Sequence, residues 1–408
     1  MGCYPIIGHG GGASPSQDLL KYYERLMRGC TIFCLYPYSP RSNEASWLDN
    51  TKNAVSLSRL NRDIAEVEDI IAGGKVLPAE VALVYPNSCI LWDRSAYIKA
   101  VSLYLAHLHA GIPMDIITEQ DVVDGYVRDY SLLYLVGSNI RRDVLKSIDS
   151  YLKDGGIVVC SSPDLLDEYC EKIENATVMF GVESIEVVKN ENPGCLLYEF
   201  LEKQPIDNVK WNNKEVKVYC QRSKITPSVG AEVLANFVDG SPAIIKAKRG
   251  RGTVYFYGFS PGLSYMYADY RGNRGFSTVF YLNRNERDIC TFPAQNIKNT
   301  VKVGTSMICG RIIVGNNASL IGLIDYGIGK IGREKPNPKP EEVDFEKMEP
   351  YVVDVEINCR NRPEKVYGVR CKKLQWSYSN GKITVSVPIR GAELIVLKGK
   401  DLFSVSRQ

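Results

Sequence analysis

Cys160 closes the apolar run Ile157-Val158-Val159-Cys160 and is followed by Ser161-Ser162-Pro163, so a thiol stands where a strand gives way to a turn. A thiol so placed acts as a nucleophile when a base lies within hydrogen-bond reach. The three histidines, His9, His107 and His109, all precede it in the chain, and no glycine flanks it as the strained turn of such nucleophiles requires. Cys160 therefore reads as a degenerate nucleophile position, kept for packing. The run Gly8-His9-Gly10-Gly11-Gly12 suggests two other chemistries. Backbone N–H groups of a glycine-rich turn ahead of a helix can hold phosphate, but no G-x-x-x-x-G-K-[ST] is present, and we expect no strand before the turn. The same groups could stabilise an oxyanion, which requires a G-x-S-x-G serine as well, and our expectation is that the chain holds no such motif. The glycines then serve close approach of the backbone to a ligand or a neighbouring loop, with His9 at the tip.

Aromatic side chains offer a further chemistry. Ser14-Pro15-Ser16-Gln17 has the letters of a capping box with proline at the first helical position. The helix it opens carries Leu19, Leu20, Tyr23 and Leu26-Met27 and stops at Gly29. Residues 31–40 (TIFCLYPYSP) then read as an apolar strand ending in Tyr36 and Tyr38, with Trp47 just beyond. Helix, strand and aromatic loop together resemble the last βα portion of a TIM barrel, in which carboxyl ends of strands carry the active site. Rings there stack on sugar faces, because C–H groups meet the negative π-face. His9, Tyr36, Tyr38 and Trp47 are thus the candidate sugar-facing residues. That the rings pack against the next helix stays open as the alternative.

A length of 408 residues suggests two or three domains. The net charge of +3 is small, and the densest basic run, Lys246-Ala247-Lys248-Arg249-Gly250-Arg251, reads as a solvated turn leading into a strand. A nucleic-acid surface would want an adjoining basic face with stacking aromatics. No apolar run approaches the roughly 20 residues that span a bilayer, and the first dozen residues, five of them glycine, lack a basic-then-apolar leader. We therefore expect a cytoplasmic chain without nucleic-acid or membrane partners. Twelve cysteines contain no CxxC pair, and Cys30 and Cys34 would share one face of a strand beside Ile32. Buried free thiols are the expectation, with Cys359 and Cys371 a pair only if the chain is exported. Neither a metal nor a cofactor is implied.

Elements that could position these residues alternate through the middle of the chain. Val81-Ala82-Leu83-Val84-Tyr85 reads as a strand closed by Pro86-Asn87, and Ile98, Val101, Leu105 and Leu108 mark one face of the following helix. Met114–Thr118 and Leu132–Val136 are apolar runs without alternation, as in parallel strands covered on both faces. Val144, Ile148 and Leu152 mark a second helix, Ile157–Cys160 a fourth strand, and Ser162-Pro163 the start of another helix. Gly252–Phe259 adds a strand after the turn at Asp239-Gly240-Ser241-Pro242. A doubly wound parallel sheet follows, and a small ligand could enter near Pro86–Ser88 and Gly137–Asn139, where such sheets open crevices. Residues 185–225 read as an insertion with one short strand at Val216–Tyr219. Leu60, Ile64, Val67 and Ile71 form the core stripe of a linker helix capped by Asn50. Later the pattern is strands alone, at Ile308–Val314, Ser319–Asp325, Tyr351–Ile357, Lys382–Val387 and Glu393–Leu397, which suggests a small β-sandwich with an exposed loop at Glu334–Pro350.

The order of these features resembles the C-terminal half of beta-galactosidase-like glycoside hydrolases with a trimerisation domain. The residues that carry the resemblance are Ser14–Gln17, the tyrosine-rich strand end, Leu60-Asn61-Arg62-Asp63-Ile64, residues 79–86 (AEVALVYP), 235–243 (ANFVDGSPA) and 250–262 (GRGTVYFYGFSPG). The resemblance implies a fold of four segments: a partial TIM-barrel end at 1–45, a linker helix at 46–76, a Rossmann-like or flavodoxin-like α/β domain of the class I glutamine amidotransferase type at 77–283, and an antiparallel β-sandwich at 284–408. It implies no amidotransferase activity, since Cys160 lacks a later histidine. Retaining glycosidases use two carboxylates, which in the family come from the fourth and seventh barrel strands. The chain reads as starting at or just after the seventh, and Met1–Gly12 holds no Asp or Glu. The expected function is therefore non-catalytic: an accessory portion that self-associates, as a homotrimer, or joins a barrel-containing subunit. The alternative is one half of a split glycoside hydrolase acting on beta-galactosides or related sugars, with carbohydrate as its ligand.

Overall fold

Leu132–Val136 is buried at every position and Val81–Val84 likewise, because each lies between two other strands and under cover on both faces. The structure, a computed structural model, describes residues 6–8, 15–32, 34–36, 51–173, 176–194, 203–268, 284–305, 307–327 and 347–405. These fall into two compact units: one built from residues of 79–276 and 281–298, the other from residues of 1–78 and 299–408.

In the first unit five strands run parallel in the spatial order Met114–Ile117, Val81–Val84, Leu132–Val136, Ile157–Ser161, Gly252–Tyr257. The sheet is not wholly parallel. Pro242–Arg249, Glu232–Phe237, Asp207–Trp211 and Lys214–Val218 continue it antiparallel to a total of nine strands. Most of the basic run expected in a turn thus lies in a strand, and the turn is confined to Gly250-Arg251. The segment expected to be an insertion with one strand holds four: Val182–Asn190, Asp207–Trp211, Lys214–Val218 and Gln221–Pro227. Its polar composition masked the two-residue alternation of a strand with one face on the core, visible at Lys214–Val218 where only Val216 and Val218 are buried. Asn212 and Asn213, both at positive φ, turn the hairpin that joins two of these strands.

The helices Ser95–His109 and Arg142–Lys153 form as read, and Val144, Ile148 and Leu152 face the core. On Ser95–His109 burial extends beyond one stripe, with Ile98, Leu103, Ala106 and Leu108 enclosed and Val101 and Leu105 only half-buried. No helix starts at Pro163. Ser162 Oγ donates to the Asp164 carbonyl, and the chain stays extended because Leu166 N–H finds the Ser138 carbonyl at 3.0 Å and returns its own carbonyl to Ile140 at 2.9 Å.

The second unit is a sandwich with one sheet buried on both faces. Its five-stranded sheet orders Lys365–Gly368, Ala392–Lys398, Ala318–Asp325, Ile308–Val314 and Lys75–Val76. Ile312, Ile321, Leu323, Ile395 and Leu397 pack toward the four-stranded sheet of Val301–Val303, Tyr351–Asn358, Lys382–Ile389 and Gln375–Ser379. Ile313, Leu320, Ile324, Leu394 and Val396 on the opposite face meet Leu19, Leu20, Tyr23, Leu26 and Met27 of the helix Pro15–Leu26, and Leu60, Val67 and Ile71. The expected linker helix is two helices, Thr51–Ala65 and Glu68–Gly73, packed on this sheet, so the helical segment and the sandwich share one core. The helix Arg284–Thr291 packs with the α/β unit, and the boundary falls after Lys298. Asn50 and most of the Glu334–Pro350 loop lie outside the described residues.

Candidate functional site

Because five strands point the same way, the loops that leave them gather at one edge of the sheet: Tyr85–Ser88, Thr118–Glu119, Gly137–Asn139, Ser162–Asp167 and Gly258–Gly262. Val81–Val84 has Met114–Ile117 on one side and Leu132–Val136 on the other, so connections leave in opposite directions there, the arrangement that opens a crevice. In this structure the crevice loops are latched. Ser88 Oγ donates to Glu119 Oε2 at 2.6 Å, and the Ser88 N–H adds a contact of 3.2 Å to Oε1. Burial pushes the Glu119 carboxyl up, and the Ser88 bonds oppose that shift. Asn139 Nδ2 donates to the Asp167 carbonyl at 3.0 Å and to Cys170 Sγ at 3.2 Å. The Asp167 carboxylate accepts the N–H groups of Tyr169 and Glu171, each at 2.9 Å, and Arg142 Nε at 2.8 Å. Gly137, at φ +94°, leaves no room for a side chain, since a Cβ would lie 2.7 Å from Cys89 Sγ.

Cys160 is fully buried at this edge, and enclosure pushes its thiol up, opposed only in part by the Ser162 N–H. A thiol so held stays protonated at neutral pH. Native protein treated with iodoacetamide should therefore be labelled at exposed Cys170 and spared at Cys160, as read by peptide mass spectrometry; rapid labelling of Cys160 would contradict its enclosure. His107 and His109 do not serve it. His107 Nδ1 lies 2.8 Å from the Leu103 carbonyl and must donate there, and His109 Nδ1 lies 2.7 Å from the Tyr265 hydroxyl. Among the described residues the cysteines are free thiols, mostly buried, Cys359 and Cys371 included. Cys30 is buried but Ile32 is exposed, because the strand begins only at Cys34.

Of the expected sugar-facing residues, His9, Tyr38 and Trp47 lie outside the described residues, and Tyr36 ends the strand Cys34–Tyr36. That strand pairs in parallel with Ile6–Gly8, a strand where none was expected, with the helix Pro15–Leu26 between them in the chain. Three apolar-flanked residues are too few to raise a periodic signal. A second feature went unread in the sequence: Gly258-Phe259-Ser260-Pro261-Gly262 does satisfy G-x-S-x-G, and it joins the strand Gly252–Tyr257 to the helix Pro261–Ala268. Ser260 is buried; His107 bonds the Leu103 carbonyl through Nδ1 and leaves Nε2 without a partner, and His109 Nδ1 bonds the Tyr265 hydroxyl.

Two further buried carboxylates are also committed. Glu393 accepts the N–H groups of Arg370 (2.9 Å), Leu394 (3.0 Å) and Cys371 (3.1 Å). Asp325 accepts the Gly327 N–H at 2.9 Å and the Tyr351 hydroxyl. Among the described residues no group of three or more His, Cys, Asp or Glu could hold a metal ion, and no helix is long and apolar enough to cross a membrane.

No family model matches the chain, and no curated protein matches it in sequence. Solved structures do share its fold. A GH42 beta-galactosidase from G. stearothermophilus superposes with a TM-score of 0.62 at 13% identity, over 94% of this chain and 51% of that one. Alpha-L-fucosidase isoenzyme 2 from Paenibacillus thiaminolyticus gives 0.62 at 14% identity, over 97% and 60%. Beta-galactosidase from Bacillus circulans sp. alkalophilus gives 0.58 at 14%, over 94% and 52%. The chain thus spans between half and three fifths of the length of these proteins, and over that span it has the fold of a portion of these glycoside hydrolases.

Proposed function

We propose that this chain is the accessory and assembly portion of a beta-galactosidase-like glycoside hydrolase and does not itself cleave the glycosidic bond. Its α/β unit, with parallel strands in flavodoxin-like order and an amidotransferase-like plan, would associate with copies of itself, as a homotrimer, or with a barrel-bearing subunit. The observation that carries this reading is the state of four buried carboxylates among the described residues: Glu119, Asp167, Asp325 and Glu393 are each held by structural hydrogen bonds. A retaining glycosidase needs two carboxyl groups about 5 Å apart flanking a sugar. Purified full-length chain should release no chromophore from nitrophenyl β-galactoside while light scattering reports an oligomer. Turnover that one carboxylate substitution abolishes would refute the proposal.

The second reading is a split enzyme. It is favoured by the parallel pair of Ile6–Gly8 and Cys34–Tyr36, the unit from which barrels are built, paired with no further strand among the described residues. His9, Tyr36, Tyr38 and Trp47 would then contribute to a sugar pocket completed by another polypeptide. Hydrolysis restored on co-expression with a barrel-bearing partner separates the two readings.

A further inference from the structure

We infer that the α/β unit binds a small hydroxylated carboxylic acid at the amino end of the helix Pro261–Ala268, between Lys99 and Gln221. Lys99 is almost fully buried at 1% exposure, yet its ammonium makes a single long contact, 3.4 Å to Asp93 Oδ2. An ammonium carries three donors, and leaving them without acceptors in a buried site is costly. Gln221 is completely buried, and neither its amide nitrogen nor its amide oxygen has a partner. Two such groups point to a missing polar ligand.

The fold brings them to one place. Lys99 stands one turn before Ser102 and Leu103 on its helix, and those two residues touch Gly262 so closely that a Cβ there would lie 2.6 Å from Leu103 N and 3.0 Å from Ser102 Oγ. The positive charge of Lys99 acts on the thiols of both Cys89 and Cys220, so its ammonium lies within electrostatic range of the first crevice loop and of the residue preceding Gln221. Cys220 itself adopts φ 62°, and the antiparallel bridge of Arg222 with Phe259 sets Gln221 beside Ser260. Ser260 is the central residue of the G-x-S-x-G turn, whose helix begins with Pro261. The N–H groups of the first helical turn have no intrahelical acceptor and favour an anion.

Charge and hydrogen bonding choose the ligand class. One ammonium shared with Asp93 suits a single negative charge and not the double charge of a phosphate monoester. The carboxylate would meet Lys99 and the helix end, and a neighbouring hydroxyl would meet Gln221, whose amide offers both a donor and an acceptor. The site is independent of whether the chain is a glycosidase accessory.

Calorimetric titration of the full chain with D-galacturonate, and with D-galactose as the uncharged control, tests the assignment. Saturable binding of galacturonate, at least tenfold tighter than galactose, is expected. Lys99→Met should weaken it at least tenfold. Gln221→Leu should weaken it severalfold while raising the thermal midpoint of the ligand-free protein, because an unpaired buried amide is removed, an opposite pair of effects that a purely structural glutamine would not give. No binding of galacturonate, equal binding of galactose, or full affinity in either variant would overturn the proposal; if Lys99→Met does not fold, Gln221→Leu decides.

Discussion

The α/β unit should lose much of its stability as the pH falls from 6.5 toward 4. His107 and His109 are buried, and burial pulls their pKa values down from 6.5 to about 4 and about 3, with the Arg287 charge adding to the shift at His109. His107 Nδ1 donates to Leu103 while Nε2 has no partner, and the ring stands edge-on to Tyr134 with centroids 4.5 Å apart, so a second proton would find no acceptor. The sign follows from linkage. Between the folded and unfolded pKa values the unfolded chain binds more protons, so stability is full above pH 6.5 and is lost as the pH falls toward 4. At about 1.4 kcal/mol per unit, the two rings together cost roughly 6 kcal/mol by pH 4, comparable with a whole domain's stability of about 5–15 kcal/mol. Glu119, whose pKa is raised, acts in the opposite sense, gaining stability only as the pH falls toward the ordinary carboxylate value. Amide exchange of Leu132–Val136 as a function of urea, at about pH 7.5 and about pH 4.5, measures the loss. The double variant His107→Asn, His109→Asn should flatten it; protection unchanged between the two pH values would show that the rings already carry protons or are not enclosed.

Glu393→Ala should destabilise the sandwich unit by about 2–3 kcal/mol, since the substitution strands three N–H donors, one buried and two partly buried, at up to roughly 1 kcal/mol each. The same region ties the helices to the sheet. Arg370 reaches the Arg390 and Ala392 carbonyls at 3.2 and 3.3 Å and lies 3.6 Å from Asp63, which accepts the Tyr23 hydroxyl. Glu393→Gln keeps an acceptor oxygen and should cost no more than about 1 kcal/mol. A second readout is chemical. Burial and the Glu393 charge push the Cys371 thiol up to about 12, so Glu393→Gln should hasten its alkylation. Urea unfolding of the three proteins, with alkylation rates at Cys371, checks both expectations. A Glu393→Ala protein as stable as the parent would mean that water satisfies these donors.

Sequence patterns were read correctly where one residue's environment was set by its neighbours along the chain. The unbroken apolar runs Val81–Val84 and Leu132–Val136 identified strands covered on both faces, and the 4, 4 spacing of Val144, Ile148 and Leu152 identified a buried helix face. The run Ile308–Val314 showed equally well as a strand, but not that one of its faces meets the sandwich core and the other the helices. Strands with a polar face, such as Asp207–Trp211, were invisible because alternation over five residues is weak against a charged background. Ser162-Pro163 misled because helix-start letters were outbid by backbone partners at Ser138 and Ile140, far away in the chain.

The site divides in the same way. Composition and spacing read Cys160 as a structural thiol because no histidine follows it in this sequence, and the structure adds that it is fully buried. Nothing local in Lys99 or Gln221 distinguishes a solvated side chain from a buried one; only the packing of the Ser95–His109 helix on Pro261–Ala268, and the bridge of Arg222 to Phe259, takes water away from them. Periodicity reports which face of an element is apolar, whereas desolvation of a single polar group depends on residues brought together from distant parts of the sequence, and that is decided by the tertiary fold.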